Sequence, residues 1–275
     1  MNATPELLAA RAPQRVRHEL RRRTLTVQSA ERITPHCVRV TLAGEELEGF
    51  HSPGFDDHVK LILPDAATGA LHLPSFDAQG TPGPQAPRPA MRDYTPRLHD
   101  AAARTLAIDF ALHDAGPATA WALRAAPGQR IGVGGPRGSM IVPLAFDGYV
   151  LAGDETALPA IARRLAELPA GTSVLALVEV DGPADEQPLP TAADARIRWV
   201  HRGGAAPGDP APLLAALRAQ ALPAGDVHAW VACETGVAKA LRAHLVGERG
   251  VHPKWVRASG YWRRGSAAMH EAVEE

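Results

Sequence analysis

The residues best suited to chemistry are Arg92-Asp93-Tyr94-Thr95 and, about twenty positions on, His113-Asp114-Ala115-Gly116-Pro117-Ala118. On a strand, alternate side chains share a face, so Arg92 and Tyr94 point one way and Thr95 the other. A guanidinium fork matches a pyrophosphate in charge and shape. A tyrosine ring stacks on a flat heterocycle, and a threonine hydroxyl or backbone N–H can hydrogen-bond its edge. Gly116-Pro117-Ala118-Thr119 opens a helix with small side chains, where a diphosphate can approach backbone N–H groups. Each stretch alone is weak: a strand with an exposed arginine, or a helix start with a nearby threonine, uses the same residue types. Together, at this spacing, they point to bound FAD and electron transfer, with His113 beside the diphosphate segment.

Other stretches bear on the same chemistry. Gly132-Val-Gly-Gly-Pro-Arg-Gly138 resembles a dinucleotide fingerprint, but its third glycine falls one residue late and no helix follows. It reads as a tight turn with Arg137 at its tip. Gly153-Asp154-Glu155-Thr156-Ala157 and Ala232-Cys233-Glu234-Thr235-Gly236 each join a strand to a helix. Such loops, at strand carboxyl ends, are where nucleotides dock. Asp154, Thr156 and Ala157 are therefore assigned to cofactor binding, through the backbone, because acidic side chains would oppose a phosphate. Cys233 reads equally as a neighbour of a nicotinamide or as a small buried residue closing a strand. Lys60, a single lysine in an apolar strand, reads by itself as a solvent-facing position. Gly260-Tyr-Trp-Arg-Arg-Gly265 offers an aromatic, cationic wall or plain surface packing.

Composition narrows the field. Lys+Arg is 29 and Asp+Glu is 30, a formal charge of -1 over 275 residues, so no global basic field argues for nucleic acid. Cys37 and Cys233 are far apart, and the twelve histidines show no HxxxH spacing, so no resident metal is expected. No apolar run is long enough for a transmembrane helix, and the start does not read as a signal peptide. The expectation is a cytoplasmic protein, with the Arg-rich 15–23 stretch as a solvated lead into the first strand.

These residues need elements to hold them. Short β-rich runs at 24–28, 36–42, 58–63, 92–95, 105–112 and 130–133 suggest a closed barrel holding one helix, 117–125, with a Pro/Gly loop at 74–89. After about residue 148 the pattern alternates: strands at 149–152, 173–180, 196–200, 227–232 and 254–258, helices at 155–168, 211–221 and 235–247. Strands alternating with helices mean a parallel sheet covered on both faces. The expected fold is a six-stranded antiparallel FAD-binding β-barrel followed by a doubly wound α/β nucleotide-binding domain. The divisions are a flexible N-terminal arm (1–14), the barrel (15–145) and an NAD(P)H-binding-like domain with a C-terminal tail (146–275).

As an ordered set, Asp57-His-Val-Lys-Leu61, Arg92-Asp-Tyr-Thr95, Gly116-Pro-Ala-Thr-Ala-Trp-Ala122, Gly153-Asp-Glu-Thr-Ala-Leu-Pro159 and Gly260-Tyr-Trp-Arg-Arg-Gly265 resemble the siderophore-interacting proteins. That resemblance runs from about Arg15 to about Gly265. It implies an FAD-dependent ferric-siderophore reductase of the ferredoxin-reductase superfamily, acting as a monomer. Arg92, Tyr94 and Thr95 would hold the flavin, and Gly116, Pro117, Ala118 and Thr119 its diphosphate. Lys60, Arg137 and Arg263 would meet the anionic chelate, with Arg264 and Arg257 as rivals for the last. NADPH, NADH and reduced ferredoxin all remain open as donors. So do two other readings, a general flavin or ferredoxin-type reductase and a siderophore-binding flavoprotein without activity. Cys233 departs from the glycine common in relatives.

Overall fold

The computed structural model describes residues 4–73, 89–112, 116–265 and 271–272. The chain divides into two compact units, Arg15–Ser139 and Met140–Glu275 together with Met1–Gln14. It crosses between them at two short strands, Gln14–Arg17 (β1) and Gly138–Ile141 (β9).

In the first unit, Arg22–Thr34 (β2), Cys37–Ala43 (β3), Val59–Ile62 (β4), Met91–Tyr94 (β5), Pro96–Asp100 (β6), Thr105–Ala111 (β7) and Arg130–Gly134 (β8) form one sheet. Its order is β5-β4-β8-β2-β3-β7-β6, and every pairing is antiparallel. The two edge strands, β5 and β6, are a single run of chain interrupted only at Thr95. Met91–Tyr94 pairs with β4 while Pro96–Asp100 pairs with β7, so the sheet closes on itself as a six-stranded barrel. Closure leaves no long edge for another chain to extend. Strand alternation supplies the core: Leu25 and Val27, Val38, Val40 and Leu42, and Val59 and Leu61 turn inward. Helix Pro117–Ala122 (α2) starts at a proline, whose missing N–H costs nothing there. It buries Ala118, Trp121 and Ala122 in that core, with the Trp121 ring 5.7 Å from Phe110.

In the second unit, Gly148–Gly153 (β10), Ser173–Val180 (β11), Asp194–His201 (β12), Val227–Glu234 (β13) and Val256–Trp262 (β14) are parallel, and Glu271–Ala272 (β15) adds an antiparallel edge. The order is β12-β11-β10-β13-β14-β15. Strands covered on both faces read as continuous apolar runs, as Val174-Leu-Ala-Leu-Val178 does. Chain order reverses between β10 and β13, which is the switch point of a doubly wound sheet. Helices Leu158–Glu167 (α3), Pro210–Ala219 (α4) and Thr235–Ala243 (α5) connect the strands.

The 1–14 stretch, expected as a flexible arm, carries helix Pro5–Ala10 (α1) and groups with the second unit. Its Arg11 bonds Asp226 and the Ala145 carbonyl (2.9 Å) and lies over the Phe146 and Trp255 rings. One strand and two boundaries differ from expectation. Strand β6 lies beyond the expected 92–95 run, and its pairing with β7 comes from barrel closure. Helix α3 begins at Leu158 rather than 155, because the Asp154 carboxylate accepts the Thr156 N–H at 3.0 Å and holds 154–157 in a turn. Strand β14 runs on through Trp262, so Gly260, Tyr261 and Trp262 lie within the sheet and not beyond it. Most of the 74–89 loop lies outside the described residues.

Candidate functional site

In the barrel the register decides which side chains meet. Tyr94 is opposite Val59, Asp93 opposite Lys60, and Arg92 opposite Leu61. Val59 and Leu61 have no exposed surface, so Arg92 and Tyr94 share the core-side face of β5. Lys60 and Asp93 project from the opposite face. The structure thus separates Lys60 from Arg92 and Tyr94 by the thickness of the sheet. Lys60 Nζ bonds both Asp93 oxygens, at 2.8 and 3.0 Å, with its side chain 49% exposed. Asp93, given no role from the sequence, is the lysine's ion-pair partner.

Within the clamp, the Tyr94 ring rests 4.5 Å from Phe110, and burial pushes its phenol well above the usual range. Tyr94 is therefore a neutral ring at any working pH. The half-buried Arg92 donates to its neighbour's carbonyl, Met91 O, at 2.8 Å. Thr95 is buried where the barrel closes. His113 lies outside the described residues. Gly116 caps α2 without any side-chain hydrogen bond, and a Cβ there would meet nothing nearer than Thr119 Oγ1 at 3.9 Å. Along one face of α2 lies a cavity of about 400 Å³, lined by Pro117, Ala120, Trp121 and Arg124, with Ala90 and Arg130 also in its wall.

Arg137 is exposed on the turn after β8. Strand–turn–strand, with no helix, is the local structure of the 132–138 glycine stretch. Lys60 pairs in register with Gly134, which brings the start of this turn beside the lysine's backbone.

In the second unit, the carboxyl ends of β10 and β13 flank the switch point, with Gly153 opposite Ala232. Glycine is required here: a Cβ on Gly153 would sit 2.3 Å from the Ala232 carbonyl oxygen. The side chains assigned from sequence are committed internally. Asp154 Oδ1 accepts the Thr156 hydroxyl at 2.5 Å, and its Oδ2 accepts the Trp262 indole N–H at 2.8 Å. Ala157 is fully buried. What this loop can offer a nucleotide is backbone.

Beside it lies a charge cluster that sequence reading missed. Arg202 donates to both Glu155 oxygens at 2.7 and 2.8 Å and to Glu179 at 3.3 Å. Its side chain is 7% exposed and that of Glu179 is 3% exposed. Burial first, and the neighbouring Asp154 charge second, push the Glu179 carboxyl up to about 7 against the pull of Arg202. The one local signal was a carboxylate inside an otherwise apolar buried run, Leu177-Val-Glu-Val180. Cys233 is buried, and burial together with Asp154, Glu179 and Glu234 raises its thiol well above the usual range. It stays protonated and unreactive. Glu234 caps α5 by accepting the Gly236 and Val237 N–H groups. Arg263 and Arg264 are exposed, and Arg264 also donates to the Pro207 carbonyl.

Comparison with known proteins decides the family. Residues 26–140 match the siderophore-interacting FAD-binding domain, and residues 146–265 match the siderophore-interacting protein model. The chain belongs to the siderophore-interacting protein family. It is 40% identical to the NADPH-dependent ferric-chelate reductase of Escherichia coli (strain K12), across 95% of this chain and 99% of that protein. It is 33% identical to the ferric vibriobactin reductase ViuB of Vibrio cholerae, across 87% and 89%. A siderophore utilization protein from T. fusca, known as a crystal structure, superposes with a TM-score of 0.86 at 45% identity, covering 94% and 98% of the two chains.

The barrel is accordingly the FAD-binding domain of this family, and its residues fit that cofactor. A half-buried arginine and a neutral aromatic ring share one face of β5. The first turn of α2 has no side-chain cap, and a cavity with two arginines runs beside it.

Proposed function

We propose that this siderophore-interacting protein reduces ferric siderophores, with FAD as its cofactor and NADPH as its donor. One observation carries the reading: an FAD barrel and a doubly wound sheet follow each other in one chain, and both match the siderophore-interacting models from residue 26 to residue 265. The donor follows the activity for which the Escherichia coli relative is named. FAD, when bound, accepts an electron pair from a nicotinamide and passes electrons singly to an acceptor. One NADPH thus converts two Fe(III) to two Fe(II), with release of NADP⁺ and a proton. Hard oxygen chelators hold Fe(III) far more tightly than Fe(II), so reduction frees the metal.

The protein's own groups have three tasks in this reading. Arg92, Tyr94 and Thr95 hold the flavin, and Gly116, Pro117, Ala118 and Thr119, with His113, meet its diphosphate. The 154–157 loop gives backbone contacts to the nucleotide. Lys60 and Arg137, exposed on the barrel, attract the polyanionic chelate by charge, and Arg263 is a separate candidate for the same work. We take the protein to be a cytoplasmic monomer.

The test is anaerobic stopped-flow mixing of the yellow protein with NADPH, NADH or reduced ferredoxin, then with a ferric catecholate or ferric hydroxamate. Bleaching by NADPH and reoxidation by the ferric chelate are expected. Bleaching with reoxidation only by free flavin or ferredoxin would favour a general reductase. A flavin that none of the three donors bleaches would leave a siderophore-binding flavoprotein without activity.

A further inference from the structure

Resting on the reading of Lys60 and Arg137 as chelate-binding cations, we propose that His18, Ser139 and Asp57 are positioning residues. They form a hydrogen-bonded chain, buried at Asp57 and Ser139 and half-buried at His18, that fixes the Arg137 turn against the strand carrying Lys60. Asp57 is 3% exposed, and its Oδ2 accepts the Ser52 hydroxyl (3.0 Å), the Gly54 N–H (3.0 Å) and the Ser139 hydroxyl (2.6 Å). Ser139 is 6% exposed, and its Oγ lies 2.8 Å from His18 Nε2. A hydroxyl has one proton, and here Asp57 receives it, so the network assigns the other proton to His18 Nε2 as donor. The His18 backbone N–H donates to the Arg137 carbonyl at 3.0 Å.

Two more contacts secure the same turn. Gly135 N–H donates to the Arg21 carbonyl at 2.9 Å. The buried Arg23 guanidinium donates to the Gly135 carbonyl (3.0 Å) and the Glu46 carbonyl (2.8 Å), and lies over the Phe50 ring. The backbone on both sides of Arg137 is therefore held from within, while its side chain remains exposed. At the other end of the chain, Asp57 stands three residues before Lys60, whose strand partner is Gly134 at the start of the same turn. Local sequence alone does not connect these groups: His18 and Ser139 are 121 positions apart, and Ser139 and Asp57 are 82.

The same three residue types make hydrolytic triads, but not in this order. A nucleophilic serine gives its proton to the imidazole, and the carboxylate orients the imidazole. Here the hydroxyl donates its hydrogen bond to the carboxylate and is buried. Placement of cations for a bulky anion is what the arrangement serves.

The test compares His18→Ala, His18→Gln and Ser139→Ala in the FAD-loaded full-length protein. His18→Gln keeps a donor near Nε2. Each variant is assayed with NADPH against a ferric tris-catecholate and against menadione, a neutral quinone that needs no cationic site. Loss of one such hydrogen bond is expected to lower chelate-over-quinone selectivity roughly tenfold in His18→Ala and Ser139→Ala. His18→Gln is expected to restore most of it. In an Arg137→Ala background, His18→Ala is expected to add nothing, because it acts through Arg137. Unchanged selectivity, equal loss of both acceptors together with FAD, or full additivity with Arg137→Ala would each overturn the proposal. Wild-type protein that reduces menadione but no ferric chelate sinks the underlying reading instead, and the wild-type arm alone reveals that.

Discussion

Arg137 and Arg202 are the same residue type placed under opposite rules. The barrel leaves Arg137 in water and fixes its backbone with Ser139, His18 and Arg23. The second unit takes Arg202 out of water and balances it against Glu155 and Glu179. An exposed cation on a fixed backbone is ready for a ligand. A buried cation shared by two carboxylates holds strand ends together. Residue type thus states what a side chain can do, while burial and partners decide what it does do.

The largest expected effect tests the buried side of this contrast. Arg202→Met leaves Glu155 and Glu179 without their cation, and we expect a loss of about 3–5 kcal/mol in urea unfolding. Arg137→Ala should change stability by less than about 0.5 kcal/mol. Equal effects from the two would erase the distinction.

Next comes the pH dependence of the buried cluster. The Glu179 carboxyl titrates near 7 when folded, against 4.5 as its ordinary value. Between those values the folded state keeps a proton that the unfolded chain has lost. The stabilising contribution is complete below about 4.5 and is lost as pH rises through 7, on the order of 3 kcal/mol in all. Glu179→Gln should flatten that part of the stability profile.

On the ligand side, Arg92→Ala should weaken FAD binding by about 2 kcal/mol, the worth of a charge-assisted hydrogen bond, as read by flavin fluorescence. Lys60→Glu with Arg137→Glu should lower kcat/KM for a ferric catecholate roughly tenfold at low ionic strength. That difference should shrink in salt, while NADPH still bleaches the flavin. Smallest is Asp93→Asn. Freeing the exposed Lys60 from its half-buried partner should lower the chelate KM by about twofold, the scale of a surface ion pair.

Much of the fold was legible in the sequence because burial leaves periodic traces. Leu25 and Val27 on alternate positions mark a half-buried strand, and Val174 to Val178 as an unbroken run mark a parallel one. Strand β6 was not legible, since its pairing with β7 follows from barrel closure and not from its own letters. The family was legible as an ordered set of motifs, and both family models match the chain, over residues 26–140 and 146–265. The separation of Lys60 from Arg92 and Tyr94 was not, because it depends on which residue of β4 faces which residue of β5.

By itself, then, the sequence determined two units, a barrel before a doubly wound sheet, and the family of their motifs. These follow from local periodicity and short spacings, which a linear string records. Tertiary structure alone decided that Arg202 is bound by Glu155 and Glu179, that Trp262 holds Asp154, and that Asp57, Ser139 and His18 form one chain. Each of these links joins residues 23 to 121 positions apart. A hydrogen bond depends on distance in space, and only the packed sheet and the closed barrel bring those atoms within reach.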